Sequence, residues 1–201
     1  MGWGSPFGNF SKAARTRLMV IAFVMTAILL MVMRTLDAPL RTEATPDGIV
    51  SFELARNYEA SRHILSSWDA EAKVFAALSL GLDYLFLIVY AFFISLACIR
   101  VAESINSAHS FFFIVALVLA WSQFLAAVLD AIENTALIHL LLNSPRRWLP
   151  VLSRGCALVK FSIVGAGLIF IFGGLLAVGI KRWLLKSQIS PRRPQRKRKW
   201  S

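Results

Sequence analysis

Charge is scarce in this chain, and acidic charge most of all. Only 16% of its 201 residues are Asp, Glu, Lys or Arg, and the acids number 11 against 22 basic residues. A soluble domain carries about 25% charged residues. With 57% hydrophobic residues and a mean hydropathy of +0.64, this chain has more apolar surface than one water-soluble core could hide. Cysteine is limited to Cys98 and Cys156, and histidine to His63, His109 and His139. The two cysteines fall near opposite ends of their apolar segments, which excludes a disulfide. The histidines are too scattered to bracket a haem. The Glu-x-x-His pattern of carboxylate di-metal bundles fails because Ala136 stands three after Glu133. His139 with Glu133 and Asp130 on one helix makes an incomplete metal site. Walker, G-x-S-x-G and dinucleotide fingerprints are missing as well. We therefore expect no metal and no cofactor.

What the chain has instead is long apolar runs. Four of them, at roughly 18–36, 74–99, 111–135 and 157–180, approach the length that crosses a bilayer. The expectation is an all-α membrane protein: a four-transmembrane-helix bundle forming one membrane domain. Lys12, Arg15 and Arg17 before the first run would also suit a secretory signal, but no small-x-small site follows, so it reads as a retained span. Three basic residues precede the first run and nine follow the last, from Lys181 to Lys199. By the positive-inside rule both termini are cytoplasmic, in a multi-pass protein of the bacterial inner membrane. The basic tail 181–201 then sets topology and favours anionic lipid; with Trp200 the one aromatic residue of its basic run from Arg192 on, it gives little reason to expect a nucleic-acid partner.

Residues 1–11 read as a mobile or interfacial tail, and the methionines of the first run as packing material. Residues 37–73 form the one sizeable region outside the membrane. Its apolar residues (Ile49, Phe52 and Leu54, then Ile64, Leu65 and Trp68) have the spacing of short helices that either lie on the membrane surface or fold as a lid over the bundle. Ser67 and Asp69 are candidate caps for the next helix.

The third run carries a line of small and polar residues at steps of three and four: Ala116, Ala120, Gln123, Ala127, Asp130 and Asn134, with Glu133 beside it. The second run contributes Asp83 and Tyr90, and the fourth Lys160 among small residues suited to close helix contact. Alternating directions of the spans put Asp83, Asp130, Glu133, Asn134 and Lys160 at similar depth toward the outer side. Ionisable groups in spans need a partner or a wet cavity. Three readings are open: an ion pair of Lys160 with Asp83 or Asp130 that fixes the packing; a third span ending near Leu129, with the acids in the interface; or a pocket for a polar or cationic head group, covered by Trp68.

Leu36-Asp37-Ala38-Pro39, Pro46-Asp47-Gly48-Ile49-Val50-Ser51-Phe52-Glu53, Asp83-Tyr84-Leu85-Phe86 and Leu129-Asp130-Ala131-Ile132-Glu133-Asn134 carry a further signal. Together with Trp68 they make residues 34–174 resemble a group of uncharacterised bacterial four-span integral membrane proteins. That resemblance implies the architecture and no activity. The first function to consider is binding or transport of a small amphiphile at an outer-leaflet site, with Asp83, Asp130, Glu133, Asn134, Gln123, Lys160, Tyr90 and Trp68 as its residues. The second is a non-catalytic subunit or assembly factor whose partner is another membrane protein. A membrane enzyme using a carboxylate as acid or base is the third and the least supported, because no nucleophile accompanies the carboxylates.

Overall fold

The structure is a computed structural model and describes residues 4–105 and 111–189. His109, and the tail residues from 190 on, lie outside the described residues. Among these residues six α-helices follow one another: α1 (Lys12–Asp37), α2 (Ile49–Glu53), α3 (Tyr58–Ser67), α4 (Ala70–Ser104), α5 (Phe111–Leu141) and α6 (Leu149–Ile189). Among the described residues there is no strand, only an isolated bridge between Thr42 and Thr45. Four helices are long and apolar enough to span a membrane, so this is a multi-pass, four-helix membrane bundle. Each helix outlasts its apolar run, because hydropathy marks the stretch in lipid whereas backbone hydrogen bonding continues through polar flanks. The third does not stop near Leu129 but runs to Leu141, which keeps Asp130, Glu133 and Asn134 inside the helix and buried.

The centre of the bundle is α4, which packs against α1, α5 and α6. Helix α1 lies at the periphery, resting on α4, with Ala22 and Leu29 its buried residues. Its methionines are not packing material throughout, since Met31 is 72% exposed. The line on α5 faces inward along its whole length, with Ala116, Ala120, Gln123, Ala127, Asp130 and Asn134 all buried. Of the α6 glycines, two are in tight contact. A Cβ on Gly167 would press on Gln123 and Ile94, and one on Gly174 would collide with Val101, whereas Gly165 and Gly173 face open space. Residues 4–11 differ from the expected tail: Phe7 is buried against Phe92 and Phe124, and Ser11 caps α1.

Residues 38–67 fold over one end of the bundle. After α1 a 3-10 turn, Ala38–Leu40, reverses the chain, with proline near its start. The Thr45 hydroxyl donates to the Leu40 carbonyl, and the Trp68 indole N–H donates to the same oxygen at 2.9 Å. Asn57 caps α3 and Asp69 caps α4, while Ser67 turns back to Ile64. Phe52 meets Trp68 edge to face at 5.4 Å, and both join Leu137, Leu140 and Leu149 in one apolar core. We call this covering segment the lid.

The lid is fixed by a joint between Asp37 and Gly48. Asp37 Oδ1 accepts from the Ile49 amide at 2.7 Å, and its Oδ2 accepts from Arg41 at 3.1 Å. Gly48 has φ 59° and ψ −128°, a conformation open in practice to glycine alone, and any Cβ there would collide with the Asp37 carboxylate. Gly48→Ala should therefore destabilise the lid by about 1–3 kcal/mol, read as faster proteolysis within residues 41–57 while α4–α6 keep their helicity. Unchanged cleavage would refute this joint.

Candidate functional site

The hairpin of α5 and α6 determines which residues meet. Asp130 lies eleven residues before the end of α5 and Lys160 eleven after the start of α6, so the two face each other about 16 Å below the turn. Lys160 Nζ is 2.5 Å from Asp130 Oδ1 and 2.9 Å from Glu133 Oε2. A third carboxylate, Glu53 Oε2, reaches the same ammonium at 3.9 Å from the last residue of α2. Tyr90 donates its hydroxyl to Asp130 Oδ2 at 3.1 Å. Asp83 stands apart from this group: no ion pair links it to Lys160, and its hydrogen-bond partner is Asn134 Nδ2 at 2.6 Å.

All of these groups are buried. Charge balance is therefore severe. Three carboxylates share one ammonium and Asp83 has none, and an uncompensated charge in such surroundings costs several kcal/mol. Hydrogen bonding is also incomplete, and in one direction. Glu133 Oε1 and Asn134 Oδ1 are buried without a hydrogen-bond partner, and both are acceptors. The network is therefore short of donors and of positive charge, not of acceptors.

Six of the eight residues expected from the sequence are brought together: Asp83, Asp130, Glu133, Asn134, Lys160 and Tyr90. The other two lie elsewhere. Gln123 is about 10 Å further along α5 than Asp130, where its amide donates to the Leu119 and Ile163 carbonyls under Gly167. Trp68 belongs to the lid core, its one polar atom spent on Leu40 and Thr45. Glu53 is the residue that sequence reasoning missed. It adjoins Phe52 on an amphipathic turn, where a lone acid reads as the solvent face, and only the inward fold of α2 buries it. Ser153 Oγ ties it down by donating to the Glu53 carbonyl at 3.4 Å.

Beside this cluster, α5 and α6 leave an apolar groove of 680 Å³ lined by Leu129, Trp148, Val151, Leu152, Cys156 and Val159, among others. Cys156 borders the groove and is within electrostatic reach of Glu133 and Lys160. His139 is turned to the Thr135 carbonyl of its own helix at 2.8 Å. No family model, curated protein or solved structure matches the chain.

Burial pushes the Glu53 carboxyl above its ordinary value of 4.5; Lys160 opposes the rise, and Asp130 and Asp37 add to it. A carboxyl whose pKa is higher in the docked lid than in the released one favours docking when protonated. Docking is thus strongest below pH 4.5 and weakens as pH rises through the raised value. Hydrogen exchange of residues 49–53, corrected for intrinsic rates, should show protection falling with pH in the native chain and a flat profile in Glu53→Gln. A profile unchanged by that substitution would rule out Glu53 as the titrating group.

Lys160→Met strips three carboxylates of their cation and should cost about 3–5 kcal/mol. Asp83→Asn leaves the Lys160 group intact and should stay within about 1 kcal/mol of the native protein. Equal losses in denaturant unfolding would contradict this division.

Proposed function

We propose that this protein binds a small amphiphile with a cationic, hydrogen-bond-donating head group, and that Asp83 and Asn134 are the groups that recognise it. The observation that carries the reading is the unequal pairing of the buried carboxylates. Lys160 serves Asp130, Glu133 and Glu53, so those three need no ligand to hold the bundle together. Asp83 has only a neutral amide partner, and the carbonyl of that same amide lacks a donor. A primary or secondary ammonium supplies both the charge and the N–H groups this pair lacks. The apolar groove between α5 and α6 suits the tail of such a molecule. Glu133 Oε1, one residue before Asn134, is likewise a buried acceptor without a donor.

The charge distribution supports an orientation. Lys12, Arg15 and Arg17 in the first turns of α1 and the basic residues that begin at Lys181 on α6 belong to one end of the bundle, which by the positive-inside rule is cytoplasmic. The lid and the cluster then belong to the outer half of an inner membrane, and a ligand would arrive from the outer leaflet. The resemblance to bacterial four-span proteins agrees with that setting and adds no activity.

The test uses the purified full chain in mild detergent, with a long-chain primary amine as probe and the alcohol of equal length as its uncharged control. The amine should raise the unfolding temperature, by an amount equivalent to about 2.7 kcal/mol at a hundredfold excess over Kd, and the alcohol should not. Asp83→Asn should abolish the amine effect while remaining folded. Stabilisation of the native protein and of Asp83→Asn to the same extent would overturn the proposal.

A further inference from the structure

The opposite end of the bundle carries a second site, independent of the carboxylate cluster. We propose that the groove between the start of α1 and the end of α4 binds one anionic phospholipid of the adjoining leaflet, its phosphate held by Lys12, Arg17 and Arg100 and its acyl chain laid along Val20 and Ile21. The groove measures 650 Å³ and is lined by these five residues with Ala13 and Thr16. Its rim is basic and its floor apolar, in the order a lipid presents its own parts. Val20 and Ile21 are 51% and 60% exposed, on the side of α1 that α4 leaves uncovered.

Charge complementarity selects an anionic head group over a zwitterionic one. Glu103 is the one acid in the sequence between Asp83 and Asp130, and no acid precedes Asp37 or follows Glu133. Glu103 is already engaged: Arg15 binds its Oε1 at 2.6 Å, and Arg100 lies 3.7 Å from its Oε2. Among the described residues no carboxylate is within ion-pair distance of Lys12 or Arg17. Arg100 keeps half of its side chain exposed. The Arg15–Glu103 pair also has a structural consequence, since it ties α1 to α4 and so fixes the spacing of the cations on the two helices. Cations carried on two helices that are tied together, with an apolar floor leading away from them, distinguish this groove from diffuse attraction to a charged surface, where each basic residue near the membrane acts singly.

Native mass spectrometry of the full chain, released from nanodiscs of equal parts dioleoyl phosphatidylglycerol and dioleoyl phosphatidylcholine, tests this directly. The native protein should retain one phosphatidylglycerol in preference to phosphatidylcholine. Arg17→Ala/Arg100→Ala and Lys12→Ala/Arg17→Ala should each reduce that retention about tenfold or more. Arg146→Ala/Arg147→Ala, which removes as much charge at the lid end, should leave it unchanged. Added inorganic phosphate should not displace the adduct, because the acyl chain contributes to binding. Equal retention of the two lipids, or equal loss in all three double variants, would overturn the site. Melting in phosphatidylcholine alone shows whether each variant is folded, and the two groove variants share only Arg17, so a folding failure in one leaves the other to decide.

Discussion

The ammonium of Lys160 is the group on which the lid end of this bundle depends. It is buried among Asp130, Glu133 and Glu53, which come from two different elements, while Lys160 itself comes from a third. Each pairing restricts a different freedom. Asp130 fixes the sliding register of α5 against α6, because a one-turn slip would carry the charges about 5 Å apart. Glu133, one turn nearer the loop, fixes the rotation of α5 about its own axis. Glu53 marks where the lid meets the bundle. Buried ion pairs are poor sources of net stability, because desolvation consumes most of the Coulomb gain, but breaking one is costly. Their effect is therefore on specificity: misaligned arrangements are raised in energy more than the native one is lowered.

The connection between lid and bundle runs through a short chain of rigid parts. Asp37, at the end of α1, holds the amide of Ile49; α2 is little more than a single turn; Glu53 ends it and meets Lys160. The conformation of Gly48 is what allows the chain to turn into α2 while its backbone passes against the Asp37 carboxylate. In consequence the charge state of Glu53 and the position of the lid are one equilibrium, not two. The apolar contacts of Phe52 with Trp68, Leu137 and Leu140 supply most of the docking energy, and the carboxyl adjusts it.

Much of this was legible in the sequence, for identifiable reasons. Apolar runs of bilayer length specify spanning helices with little ambiguity, and the alternating spacing of Ala116 to Asn134 specifies the inward face of α5. The common depth of Asp83, Asp130 and Lys160 followed from span direction alone. What the sequence concealed were facts of three-dimensional folding in short or irregular segments. Glu53 had no expected place at the site and Trp68 turns its one polar atom to the lid backbone, because the path of the lid is set by the Asp37–Gly48 joint and not by any periodicity. The central position of α4 was hidden too, since a helix touched on several sides has apolar and small residues all round and no amphipathic signature. Phe7 was unreadable as a core residue because burial of a chain end depends on a distant pair, Phe92 and Phe124.

Asp83 remains the residue that packing does not explain. The Lys160 group accounts for its own carboxylates, and Tyr90 completes the bonding of Asp130. A leucine at position 83 would fill similar volume on α4 without the cost of desolvating a carboxylate, and a leucine at 134 would remove the unpaired carbonyl along with the amide that now serves Asp83. A half-satisfied polar pair is less stable than either a complete network or an apolar contact. The fold therefore bears a cost at Asp83 and Asn134, and in the proposed reading a donor-bearing cation would offset it. That asymmetry, one buried carboxylate cluster with its own lysine and one carboxylate beside it without a cation, is the physical basis for assigning recognition to Asp83 and structure to Lys160.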